Sequence, residues 1–165
     1  GDIFDTLEKN TDKLTNLAFL TDLITACIRH KADVVQADEK ENGERRSLNV
    51  GHTTGHAIEL SVGLSHGESV LYGMLFETRM AIRAGVCEKA FGERLAALVQ
   101  KAIDLPPHAA VDFSGISADA EKARADKKNL GDGNINMSVA KSKGAWTTLS
   151  LGFEEYREWL KDAAK

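Results

Sequence analysis

The chain has 165 residues, 42% of them hydrophobic, enough to bury one ordinary core and too few for a second full domain. Its formal charge of -4, from 21 Lys and Arg against 25 Asp and Glu, is spread without a basic stripe, which excludes a nucleic-acid partner. The longest apolar stretches are short and broken by charge, and no basic-then-apolar leader precedes them. Neither a membrane span nor a signal peptide is expected, and the protein reads as soluble and cytoplasmic.

In chain order, the opening GDIFDTLEKN reads as helical with no preceding start, which suggests a piece of a longer protein. Residues 15–37 carry apolar side chains at Leu17, Leu20, Leu23, Ile24, Cys27, Ile28, Val34 and Val35, the spacing of a long amphipathic helix. Asn42-Gly43 favours turn conformations and should stop it, leaving a charged loop. From His52 to Val62 the pattern is helical again and Gly63 ends it; Ser65 is placed to cap a further helix from His66 to Gly85. Another helix is expected over 88–104, stopped by Pro106 and Pro107, and a short one over 117–129. Residues 134–151 alternate apolar and polar around Lys143-Gly144, a small hairpin, and residues 154–165 return to helix. The expected architecture is one mainly α domain, residues 1–165, with at most one β-hairpin. Cys27 and Cys87 sit singly in apolar helical patterns and read as core residues rather than a disulfide framework.

Three of the five histidines fall close together, in LNVGHTTGHAIE (His52 and His56) and SHGE (His66). His52 and His56 lie one helical turn apart on one face, and His66 begins the next helix, from which it can fold back. Neutral imidazole is a common zinc ligand. Two histidines at this spacing are, in general, more often ordinary polar positions than a metal site. Gly51, Gly55 and Gly67 change that balance, because they let a backbone or ligand approach closely and weaken the helices without an obvious packing return. Upstream, Lys31, Asp38, Glu41, Arg45, Arg46 and Asn49 read equally as a solvated charge run, which is the simpler reading for Arg46, or as cations and hydrogen-bonding groups for an anionic, hydroxyl-bearing substrate.

With DKKNLGDGNINMSV further on, these segments resemble the C-terminal domain of 3-dehydroquinate synthase and its sugar-phosphate cyclase relatives, over about residues 31–144 and most specifically over 38–74. The resemblance implies a helical metal- and substrate-binding domain of an enzyme that converts 3-deoxy-D-arabino-heptulosonate 7-phosphate to 3-dehydroquinate and phosphate. It implies Zn2+ or Co2+ held by His52 and His66. His56 would be a catalytic residue near the substrate phosphate rather than a ligand, with Lys31 also catalytic. Arg45, Asn49 and one of Lys127 and Lys128 would bind substrate, and Asp38 and Glu41 would support Arg45 or the loop. The third metal ligand of the family, a glutamate, and the NAD-binding domain are expected upstream of Gly1. NAD would then be held mainly by that missing domain, the full-length protein would be a homodimer, and the isolated chain would be inactive. The only close glycine pair, at 131–133, lacks the strand-to-helix setting of a dinucleotide fingerprint. Thr54 stands where many dehydroquinate synthases carry an aromatic residue, which leaves other cyclases open. A glycerol dehydrogenase-like metal enzyme and a non-catalytic helical metal-binding module are the remaining alternatives.

Overall fold

The computed structural model describes residues 3–41, 43–105, 110–124 and 133–165. It divides into two compact units, Gly1–Leu48 and Asn49–Lys165. The first holds α1 (Ile3–Lys9), a 3-10 turn (Thr11–Lys13) and α2 (Leu17–Ala37). Asn16 caps α2, its side-chain oxygen accepting the Phe19 N–H at 3.0 Å, the ordinary way of satisfying a first-turn donor. The span agrees with the helix read from periodicity, but its burial does not. Only Val34 of α2 is buried, while Leu17, Ile24 and Ile28 are 80%, 54% and 62% exposed. Cys27 is exposed too, which corrects its reading as a core residue. Leu17, Ile24 and Ile28 recur at i, i+7 and i+11, so they lie along one exposed face.

After α2, Asp38 shapes the charged loop. Its carboxylate accepts the Gly43 N–H at 2.8 Å and the Arg45 N–H at 3.0 Å, the local bonding by which Asp competes with regular structure and makes turns. A 3-10 helix (Glu44–Asn49) then crosses the junction of the two units.

The second unit contains α3 (His52–Val62), α4 (His66–Arg83), α5 (Lys89–Ile103), α6 (Ile116–Arg124), the strands β1 (Asn134–Ser142) and β2 (Ala145–Gly152), and α7 (Phe153–Ala163). The expected boundaries hold where local chemistry sets them. Gly63 ends α3 in the left-handed conformation at φ 75°, and Ser65 with Glu68 forms a reciprocal capping box at the start of α4. Pro106, Pro107 and residues 125–129 lie outside the described residues.

The strands pair antiparallel, Ile135 opposite Leu151 and Met137 opposite Leu149, around a turn in which Gly144 has φ 77°. Ile135, Met137, Val139, Leu149 and Leu151 are buried, so alternate positions form one apolar face. A two-stranded ribbon is marginal alone; here that face packs on the helices, and the Glu88 N–H donates to Lys141 O at 2.8 Å, tying the start of α5 to β1. Tyr156, Leu160 and Ala163 bury one stripe of α7, and Ile58, Leu75, Phe76, Met80, Leu98 and Val99 complete the core.

Helices α3 and α4 meet through glycine. A Cβ on Gly73 would fall 2.1 Å from Gly51 O and 2.6 Å from Gly55 N, and one on Gly51 would fall 2.8 Å from Met74 N. Gly51 and Gly55 therefore have a packing role that the sequence did not disclose: they let two helix backbones touch. Gly67 differs, with nothing within 4 Å of its would-be Cβ.

Candidate metal site

The close approach of α3 and α4 brings together the three histidines. Their ring centroids form a near-equilateral triangle: His52 to His56 5.5 Å, His52 to His66 5.5 Å and His56 to His66 5.7 Å. Two imidazoles bound to one zinc ion at about 2.0–2.1 Å, at a tetrahedral angle, have centroids about 5 Å apart. The expected folding-back of His66 onto α3 is met by this geometry, and imidazole is a ligand type that suits a divalent metal.

Two of the rings have a second partner at Nδ1. His52 Nδ1 lies 3.2 Å from Val50 O; a carbonyl only accepts, so in this contact Nδ1–H donates. His66 Nδ1 donates in the same way to Glu59 Oε2 at 3.0 Å. A ring N–H held by a carbonyl or carboxylate is the usual setting of a metal-binding histidine.

Glu59 was not anticipated from the sequence. It follows His52 by seven residues and His56 by three, the same helix face, and that spacing was the available signal. Potential ligand atoms of His56, Glu59 and His66 lie within 4.8 Å of one another, so this set and the histidine triangle overlap, sharing His56 and His66.

Beneath the histidines the site rests on buried polar groups. Glu77 of α4, 1% exposed, accepts the Gly51 N–H through Oε2 and the Thr54 N–H through Oε1, both at 2.8 Å. Thr54, fully buried, shares a 3.1 Å hydrogen bond between its hydroxyl and that of Tyr156. Thr54 is thus a core position and offers no surface to a substrate. Burial pushes the Tyr156 phenol well above its ordinary value, the bond to Thr54 opposing and the Glu77 charge adding; the ring stays neutral. An acidic residue between Phe76 and Thr78 in an otherwise apolar stretch was the visible sign of Glu77.

The remaining expected residues are distributed as follows. Asn49 is half-buried in the same unit as the histidines; Lys31, exposed on α2, and Arg45, half-buried with Nη1 donating to Glu39 O at 2.8 Å, belong to the first unit. Lys127 and Lys128 lie outside the described residues. The one sheet among the described residues is an antiparallel pair, unlike the parallel βαβ unit that carries the dinucleotide fingerprint. No described helix is long and apolar enough to cross a membrane.

Comparison with known proteins agrees with this architecture. The chain is 38% identical over 151 residues to the 3-dehydroquinate synthase of Shewanella loihica, an alignment covering 87% of this chain and 41% of that protein. It spans less than half the length of the curated relatives it matches. The fold is shared with 2-deoxy-scyllo-inosose synthase complexed with carbaglucose-6-phosphate, NAD+ and Co2+ (TM-score 0.69, 23% identity, 87% of this chain and 41% of that one). It is shared also with 2-epi-5-epi-valiolone synthase from Streptomyces hygroscopicus with NAD+ and Zn2+ bound (TM-score 0.70, 20% identity, 98% and 46%). The family model described as 3-dehydroquinate synthase C-terminal matches residues 1–129, and the chain belongs to that family.

Proposed function

We propose that this chain is the metal- and substrate-binding part of a 3-dehydroquinate synthase, a lyase that converts 3-deoxy-D-arabino-heptulosonate 7-phosphate to 3-dehydroquinate and phosphate. The observation that carries the reading is the histidine triangle at the α3–α4 contact, in which Nδ1 of His52 meets Val50 O and Nδ1 of His66 meets Glu59 Oε2. Those two are the ligands, and Glu59 is the carboxylate that orients His66. When bound, Zn2+ or Co2+ supplies Lewis acidity that lowers the pKa of a coordinated hydroxyl. NAD, the hydride acceptor in this reading, is held outside the described residues.

The chain's own groups bind and move protons. His56, close to both ligands but without the ligand role, holds and transfers a proton at a substrate phosphate oxygen, and Lys31 acts with it. The forked guanidinium of Arg45 suits carboxylate or phosphate, Asn49 offers a donor and an acceptor to hydroxyls, and Lys127 or Lys128 adds a point charge. Among cyclases, dehydroquinate synthase is favoured by the 38% identity to such an enzyme over 151 residues.

The test is Co2+ titration of the chain, followed by visible absorption. His52→Ala and His66→Ala are expected to weaken binding more than about 100-fold, since loss of a ligand exceeds the effect of losing an outer hydrogen bond; His56→Ala should keep most of the metal. If His56→Ala abolishes binding while His52→Ala retains it, the His56–Glu59–His66 set is the site and this assignment is wrong. Calorimetry with the heptulosonate phosphate against its dephosphorylated form tests the substrate class.

A further inference from the structure

We propose that Glu77 is a positioning residue for the metal site, acting on His52 through the Val50–Gly51 peptide. This rests on the reading of His52 as a ligand.

The argument begins with a helix that cannot cap itself. The N-cap of α3 is Gly51, at φ 81° with no side-chain cap. A side chain there would strike Met74 N and Val70 O, each 2.8 Å from the would-be Cβ, so the residue that normally accepts first-turn N–H groups has been given up for close packing. The orphaned donors are buried, where an unmet N–H is destabilising. Glu77 meets them from the neighbouring helix, one oxygen on the N-cap N–H of Gly51 and the other on the Thr54 N–H three residues later. In a capping box those two bonds come from two side chains of the same helix; here a single carboxylate in trans makes both. Its negative charge also faces the positive end of the α3 dipole, which makes its burial tolerable.

The Gly51 N–H and the Val50 C=O belong to one planar peptide unit. One side of that plane is held by Glu77 and the other accepts His52 Nδ1–H at 3.2 Å. Glu77 therefore fixes the plane whose carbonyl selects the His52 tautomer, and linked hydrogen bonds of this kind strengthen one another. The chain carboxylate, peptide, imidazole does for His52 what the carboxylate of Glu59 does directly for His66.

The experiment uses the 165-residue chain and the Glu77→Gln variant, which keeps the shape but puts an NH2 group opposite one of the two donors. Long-range 15N NMR of the metal-free chain should show His52 in the Nδ1–H form, shifting toward a tautomer mixture in E77Q with His66 unchanged. Co2+ affinity should fall by about 10- to 100-fold, the range for outer-shell partners. Leu160→Ala, a destabilising substitution at a fully buried position, should leave both readouts as in wild type. An E77Q spectrum and affinity equal to wild type, or the same losses in L160A, would overturn the proposal. Should E77Q fail to fold, the wild-type chain still decides: a scalar coupling across the hydrogen bond from Gly51 15N to the Glu77 carboxylate carbon is expected, and its absence overturns the proposal. If wild type binds no Co2+ at the histidines, the ligand reading fails, while the tautomer and coupling measurements still judge Glu77.

Discussion

Helices α2 and α4 are similar in length, 21 and 18 residues, and both carry an apolar stripe. Yet α2 buries Val34 alone, whereas α4 buries eight residues, among them Glu77, Ser69 and Gly73 as well as Leu75, Phe76 and Met80. Hydrophobic periodicity thus locates a face without naming what covers it, and the buried face of α4 is not uniformly apolar. What distinguishes α4 is a partner: glycine at the crossing lets α3 come within backbone contact, and at that distance polar groups of one helix can serve the other. Most helix stability in proteins comes from such packing rather than from intrinsic propensity.

The crossing itself is the sharpest point at which to break the contrast. Gly73→Val puts side-chain atoms where the Gly51 carbonyl stands, 2.1 Å from the first added carbon, against backbone that cannot move without carrying His52 with it. The expected loss is about 3 kcal/mol or more, the upper end for overpacking, read by urea unfolding. Gly67→Ala, one residue after a histidine but facing open space, should be neutral or stabilising by up to about 1 kcal/mol. Equal destabilisation by both would mean that the crossing is not what sets the packing.

Next in size is the buried polar layer under α3. Tyr156→Phe should cost about 1 kcal/mol at neutral pH by leaving Thr54 without its hydroxyl partner. Its pH signature is more telling. The folded-state value of Tyr156 is raised by burial above its ordinary 10.0, so the stability that its neutral form contributes is full below about pH 10 and is lost as pH rises beyond it. Unfolding midpoints from pH 8 to 11 should fall in wild type and fall less in Y156F; parallel curves would show that the phenol does not report on the folded core.

The smallest effect is expected on α2. Ile28→Lys, at a position 62% exposed, should change the stability of this chain by less than about 0.5 kcal/mol, the usual range for surface substitutions. A loss comparable to that of a core substitution would show the α2 stripe to be covered in solution, and would remove the contrast with α4.

Within the sequence alone, the helix spans, the Ser65–Glu68 capping box, the stop at Gly63 and the alternation of β1 and β2 were legible, because each depends on residues within a few positions of one another. So was the gathering of His52, His56 and His66, which needed only a helical turn and a short connection between two helices. The tertiary structure alone decided which glycines serve packing, that Thr54 points into the core, that Glu59 holds His66, and that the face of α2 stays exposed. It also decided the partner of Glu77, whose hydrogen bonds join residues 26 and 23 positions apart. No local pattern encodes such a pair: an acidic side chain is driven into a core only when two helix backbones come close enough to present it with donors that water can no longer reach.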